Sequence, residues 1–194
     1  MEISSYIFIS VLVSGFLYAI VIYNNLVTLK HSSTQAWANI DVLLKQRHDE
    51  IPKLVEVCKQ YMGYEQETME KIINARSAVS SARGMGDVRG VGIAETQLRM
   101  GMGNLFALAE NYPDLKADES FQQLQSRISG LENTIADRRE FYNEAVHNNN
   151  VRIEQFPDVI IASLFRFGAA TLLKFSAEQK KDVDLKQLFS KTGP

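Results

Sequence analysis

The chain is predicted to be all-α: an N-terminal transmembrane helix continuing into a long-helix antiparallel bundle of three to four helices. Two observations predict this. Residues 3–23 contain no Asp, Glu, Lys, Arg or His. As a helix they would rise about 30 Å, the thickness of bilayer hydrocarbon. Beyond them, apolar residues recur in steps of three and four along two long tracts, residues 26–79 and 121–156, the period of a helix with one dry face. Three parts follow: 1–23 a transmembrane anchor, 24–156 a helical bundle, and 157–194 an apolar helix with a polar C-terminal tail.

The apolar start differs from a cleaved signal peptide in three ways. No Lys or Arg precedes it, it is longer than an ordinary signal core, and no small-x-small site follows before the helical pattern resumes at Tyr23. Ser4, Ser5, Ser10 and Ser14 are tolerable in a span because a serine hydroxyl can bond back to the preceding turn. Lys30, Lys45, Arg47, Lys53 and Lys59 follow the span and no basic residue precedes it. The positive-inside rule then places the N-terminus outside and the soluble domain in the cytoplasm, on the strength of Lys30 above all.

The remainder suits one soluble domain. With 21 basic and 23 acidic residues and a formal net charge of −2, no basic block points to nucleic acid and no acidic run to a solvating arm. Cys58 is the only cysteine, which excludes an intrachain disulfide and a cysteine metal cage. It lies on an apolar seam and reads as a small buried hydrophobe.

Taken in order, the first tract carries Leu26, Trp37, Ile40, Leu44, Ile51, Leu54, Cys58, Met62, Met69, Ile72 and Val79 on one side, and Lys45, Arg47, Asp49, Glu50, Lys53, Glu56 and Lys59 on a wet face. If continuous to Ala82 it would run roughly 90 Å from Tyr23, a rod leaving the membrane. Pro52 interrupts it, but the apolar register holds on both sides, which predicts a kink and not two helices. Residues 83–92 carry Gly84, Gly86, Gly90 and Gly92. No Gly-Lys-Ser/Thr follows, so they read as an interhelical loop and not a phosphate cradle.

A second helix is predicted over 93–111, with Leu98, Met102, Leu105 and Leu108 as its stripe. Gly101 and Gly103 inside it suggest a close helix approach. Tyr112-Pro113-Asp114-Leu115 ends it, and Asp118 is the expected N-cap of the third helix. That helix follows a 3-4 spacing from Phe121 through Ile128, Ile135, Arg138, Tyr142, Asn149 and Phe156, which predicts packing along the first tract at a shallow angle. Arg138 and Asn149 fall on this seam, where a register-fixing polar contact or a snorkelling side chain is preferred to a ligand site. After Pro157, residues 159–175 hold only Arg166 and Lys174 as charges. They are open between a core helix, a subunit contact and a segment on the membrane surface, with core or subunit contact preferred. The end, 176–194, is polar apart from a short apolar patch at 185–189.

Catalytic chemistry is not visible. His31, His48 and His147 are scattered, no His-Glu-x-x-His occurs, Glu144-Ala145-Val146-His147 stands alone and not as the Glu-x-x-His pair of the di-iron type, and no serine has a nucleophile-elbow context. The catalytic, cofactor-binding and metal site residues are therefore given as none, and the cofactors as none.

The segments Tyr23-Asn24-Asn25-Leu26-Val27, Ile40-Asp41-Val42-Leu43-Leu44-Lys45-Gln46-Arg47-His48-Asp49-Glu50-Ile51-Pro52-Lys53-Leu54-Val55, Tyr112-Pro113-Asp114-Leu115-Lys116-Ala117 and Tyr142-Asn143-Glu144-Ala145-Val146 resemble, in order and spacing, the bacterial LemA family. The resemblance covers roughly residues 17–156. Beyond Pro157 this chain has Phe167-Gly168-Ala169 where the family often has a Gly-Phe pair and a proline. The resemblance implies a single-span protein of the bacterial inner membrane with a long-helix bundle. It carries over no catalytic residue and leaves orientation open. A relative that serves in magnetosome membrane biogenesis points toward membrane shaping. The expectation is a non-enzymatic, membrane-anchored helical scaffold that forms a homo-oligomer and organises the bilayer. The alternative is an adaptor docking another membrane protein, a protease or a TPM-domain partner. The expected partners are the lipid bilayer, further copies of the chain and, for the adaptor, another membrane protein, with no nucleic acid and no small-molecule substrate.

Overall fold

A computed structural model describes residues 2–175. The chain is all-α, and no strand occurs among the described residues. The described residues form six helices in order: α1 Glu2–Tyr61, α2 Gln66–Gly84, α3 Val88–Ala109, α4 Pro113–Ala117, α5 Glu119–Glu154 and α6 Asp158–Leu164. The contacts divide into two compact units. One holds Met1–Arg47 with Arg127–Leu172; the other holds His48–Ser126 with residues 173–175 of the described chain.

The first unit is an antiparallel pair built from α1 and α5. Residue numbers on the two helices count in opposite directions: Arg47 meets Glu132 at 3.7 Å, Trp37 meets Tyr142 with ring centroids 5.4 Å apart, and Ile153 packs against the core that holds Leu26. This is the antiparallel pairing that the 3-4 periodicity of both tracts favours. Ile40, Leu44, Ile128, Ile135 and Val146 are buried along the seam. The seam departs from expectation at two positions. Arg138 is exposed and lies over the Phe141 ring at 5.8 Å, and Phe156 is 82% exposed. Asn149 is buried as expected; its amide donates to the Gly168 carbonyl oxygen at 3.4 Å.

Within the second unit, the expected rod ends early. α1 stops at Tyr61, a turn at residues 62–65 follows, and α2 runs back so that Arg76 reaches His48. Met62 and Met69 are both buried and one heptad apart, so the apolar period crosses the turn without a gap and hides it. α2 then packs on α3. The glycine-rich stretch is mostly helix: only Met85, Gly86 and Asp87 link α2 to α3. Gly86 takes φ +67°, a conformation that a side chain would disfavour, and the Asp87 side chain caps α3 by accepting from the Gly90 backbone N–H at 3.0 Å.

Asp118 caps α5 as expected, accepting from the Phe121 N–H at 2.9 Å. It also accepts from the Tyr61 hydroxyl at 3.0 Å, which ties the end of α1 to the start of α5. These two bonds hold the Asp118 carboxyl below its usual range, and the bond to Asp118 pushes the Tyr61 phenol up. The close approach that the α3 glycines suggested is real at Gly101, where an added Cβ would lie 3.1 Å from Ile72 Cγ1, and absent at Gly103, which faces open space.

Residues 159–175 were expected to form an apolar helix, but only Asp158–Leu164 is helical. Arg166 takes φ +56°, and the chain continues without regular structure to residue 175. Side chains of α5 hold it there. Asn150 donates to the Ala170 carbonyl oxygen at 2.9 Å and accepts from the Ala170 N–H at 2.8 Å, and the Tyr142 hydroxyl donates to the Thr171 carbonyl oxygen at 2.7 Å. A backbone with no ladder of its own thus has its polar groups satisfied by a helix. The apolar patch at 185–189 lies outside the described residues.

Candidate functional site

The first feature with functional geometry is the anchor. It begins a helix long and apolar enough to cross a membrane. The side chains of Ile3, Ile7, Phe8, Val11, Leu12 and Phe16 are all more than half exposed, so nothing among the described residues covers this apolar surface. At its C-terminal end the character changes over one turn. Ile22 and Leu26 are buried in a small core with Ala162 of α6, flanked by Ile153, Ile161 and Phe167. The Tyr23 ring meets Phe165 and Phe167 edge-on at 4.8 and 5.7 Å. A buried carboxylate lies in this region, that of Asp158, ion-paired with Arg152 Nε of α5. Beside it, a shallow cleft of about 420 Å³ is lined by Asn25, Thr28, Leu29, His147, Val151 and Arg152.

The second feature is the motif Arg47-His48-Asp49-Glu50-Ile51-Pro52, and here the structure corrects the sequence reading. Arg47 and Glu50, assigned to the wet face, are buried at 1% and 7% exposure. The reason is visible in the spacing: Ile40, Leu44, Arg47, Ile51, Leu54 and Cys58 step 4-3-4-3-4, so Arg47 occupies a seam position that its charge disguised. In the first unit its guanidinium lies near the Glu132 carboxylate. In the second unit the Glu50 carboxylate takes Lys53 Nζ at 3.5 Å.

Pro52 lies inside α1, which passes through it unbroken. Proline has no N–H, so the carbonyl of residue 48, four positions earlier, loses its helical partner. That carbonyl is taken by another helix: Arg76 Nε of α2 donates to the His48 carbonyl oxygen at 2.8 Å. A proline and an arginine 24 residues apart therefore form one device. The same arginine adds to what burial does to the His48 ring. Burial, then the Arg76 guanidinium, and more weakly Arg83, hold its pKa below 6.5, with Asp49 opposing. Below Pro52, a cleft of about 500 Å³ opens between α1 and α2, lined by Val55, Lys59, Met62, Met69, Glu70 and Ile73.

The third feature is the outer face of α3. Ile93, Gln97, Met100, Asn104 and Ala107 are all exposed and share one side of the helix. None is charged, and Ile93 and Met100 are 62% and 56% exposed. An uncharged helix face of four turns is unusual on a surface exposed to water.

Groups suited to metal or nucleophilic chemistry do not gather. Among the described residues no three His, Cys, Asp or Glu side chains form a group that could hold a metal ion. His31 and His147 are exposed and His48 is half-buried. Cys58 is buried and its thiol is pushed up to about 11 by burial, too high for a reactive thiolate at neutral pH. Sequence reasoning missed the Arg76 brace, which no local pattern signals. It also missed the burial of Arg47, which the 4-3 spacing did signal.

Comparison with known proteins adds three observations. The profile of the LemA family matches residues 36–186. Magnetosome protein MamQ 2 of Paramagnetospirillum magneticum is 23% identical over 196 residues, covering 89% of this chain and 72% of that protein. Protein LemA of Metamycoplasma hominis is 27% identical over 167 residues, covering 85% of this chain and 74% of its own.

Proposed function

The chain belongs to the LemA family, and from that premise we propose that it is a non-catalytic, membrane-anchored scaffold whose copies associate side by side and organise the bilayer that holds them. The observation that carries this reading is the uncharged outer face of α3, from Ile93 to Ala107, on a chain that also bears a helix long and apolar enough to cross a membrane. Confinement to a membrane plane raises the effective concentration of copies, so a modest apolar face is enough to pair them. Three of the relatives it matches are named as magnetosome proteins; an organising role at a membrane is in keeping with those names. The basic residues that follow the span, Lys30 first, favour a cytoplasmic domain in a bacterial inner membrane with the N-terminus outside.

Cross-linking in membranes tests the reading. Gln97→Cys places a thiol at the centre of the α3 face, and the native Cys58 is buried. Mild oxidation should give a covalent dimer with Gln97→Cys and none with Glu67→Cys on exposed α2. Met100→Glu added to Gln97→Cys should abolish the dimer. A Gln97→Cys protein that stays monomeric under oxidation, and that elutes as a monomer from native-lipid discs, would refute the reading. The methionine-flanked cleft between α1 and α2 supports a second reading, an adaptor that accepts an apolar side chain of another membrane protein, since methionine lines adaptable docking surfaces. A photo-cross-linker at Gln66 would then trap one foreign band in place of a self-dimer.

A further inference from the structure

We propose that α6 and the turn after it form a second membrane contact, a short interfacial element inserted into the same leaflet at the inner end of the span. Four large apolar side chains here face outward: Phe156, Ile160, Leu164 and Phe165, at 82%, 58%, 71% and 54% exposure. Ile160 and Leu164 are four apart on α6 and share a side, and Phe156 lies in the turn just before it. An apolar cluster of this size needs an occupant. Its place on the chain identifies that occupant as lipid. The other side of α6 packs on Ile22 and Leu26 through Ala162, and Phe165 touches Tyr23. These are the last residues of the apolar run and the first turn beyond it, about 30 Å along the helix from Ile3, where hydrocarbon gives way to headgroups. A tyrosine at that level is the usual marker of the boundary. The exposed cluster is thus continuous with the lipid-facing surface of the span.

The charges fit the same placement. Between Phe156 and Gly168 the sequence has one acid and one base. The acid, Asp158, is turned inward, buried and neutralised by Arg152, so it does not face the bilayer. The base, Arg166, is exposed, as suits a side chain among phosphate headgroups.

The test uses the full chain reconstituted in vesicles of phosphatidylcholine and phosphatidylglycerol. Trp37 is the only tryptophan; in a Trp37→Phe background, single tryptophans are placed by Leu164→Trp, Ile160→Trp, Val11→Trp in the span and Val42→Trp, which is exposed far beyond it. Lipids brominated near the top of the acyl chain should quench Leu164→Trp and Ile160→Trp at least half as strongly as Val11→Trp, with a blue-shifted emission, and leave Val42→Trp unquenched. Quenching of the two α6 positions no greater than at Val42→Trp would overturn the proposal. A parallel measurement needs no substitution: a lipid-borne photoactivated carbene should label residues 156–167 of the native protein. Absence of that label, or an oxidised self-dimer through Ile160→Cys, would overturn it in favour of a contact between copies. Neither outcome bears on the α3 pairing tested at Gln97→Cys.

Discussion

The brace between α2 and Pro52 makes a quantitative prediction. Replacing Arg76 by Met removes a charged donor from the His48 carbonyl oxygen, held at 2.8 Å in a half-buried setting. A hydrogen bond from a charged group is worth about 1.5–3 kcal/mol, and a buried carbonyl left without a partner adds to the loss. Half exposure of the contact argues for the lower end, so Arg76→Met should cost about 2 kcal/mol. The cost must depend on Pro52. With Pro52→Ala, the new N–H at position 52 can bond the same carbonyl within the helix, and interior proline itself disfavours a helix by about 3 kcal/mol relative to alanine. Pro52→Ala alone should therefore be neutral or stabilising. In that background Arg76→Met should cost less than about 1 kcal/mol, a coupling of about 1–2 kcal/mol in a double-mutant cycle. Arg76→Lys, which keeps a cationic donor, should lose less than Arg76→Met. Urea unfolding of the detergent-solubilised chain, followed by circular dichroism in the far ultraviolet, measures the native protein and the four variants. An Arg76→Met cost that is the same with native Pro52 and in the Pro52→Ala background would refute the idea that the arginine substitutes for the missing amide.

Three further outcomes are expected. Gly103→Ala adds a methyl in open space and should stabilise by about 0.5–1 kcal/mol, whereas Gly92→Ala drives its methyl into the Lys174 carbonyl oxygen, a backbone atom with no rotamer to yield, and should destabilise by about 1–3 kcal/mol; paired thermal melts give the two signs. Asn150→Ala removes both bonds to Ala170 and should cost about 1–2 kcal/mol, with faster hydrogen exchange at the Ala170 amide while the α5 interior stays protected. His48 has a folded pKa below 6.5, so the unfolded chain binds its proton first as pH falls; the contribution is fully present above pH 6.5 and is lost as pH drops through the folded value. His48→Gln should flatten the pH dependence of stability in that window, as read from urea midpoints.

How much of this could be read from the residues depends on the range of the interactions. The long apolar start of α1 and its antiparallel pairing with α5 were legible because each rests on a repeated pattern: a charge-free run in one case, matched 3-4 seams in the other. The N-cap at Asp118 was legible because capping is local. The turn at residues 62–65 was not, since Met62 and Met69 keep the heptad phase across it and the single Gly63 is a weak signal. The glycine cluster misled in the other direction. Gly90 and Gly92 are there for close packing, the second against the chain near Lys174, which arrives from about 80 residues away and leaves no local trace. Arg47 was misassigned because its charge outweighed its spacing. The Arg76 brace pairs residues on different helices, so Pro52 was visible as an anomaly while its remedy was not.

The division of the chain between two units has a consequence for synthesis. Residues 48–126, the bulk of the second unit, are contiguous and can begin to assemble as soon as they leave the ribosome, with residues 173–175 of the described chain joining last. The first unit is split: Leu26 emerges early, but the Ile153 against which it packs follows more than a hundred residues later, about 6–25 s at ordinary elongation rates. On the membrane-anchored reading proposed above, lipid already holds one end of α1 through that interval while the half beyond it carries a bare apolar seam. Insertion of the nascent helix thus comes before completion of its core, and a slowed or truncated translation product would leave that seam open to whatever holdase or neighbouring chain is at hand.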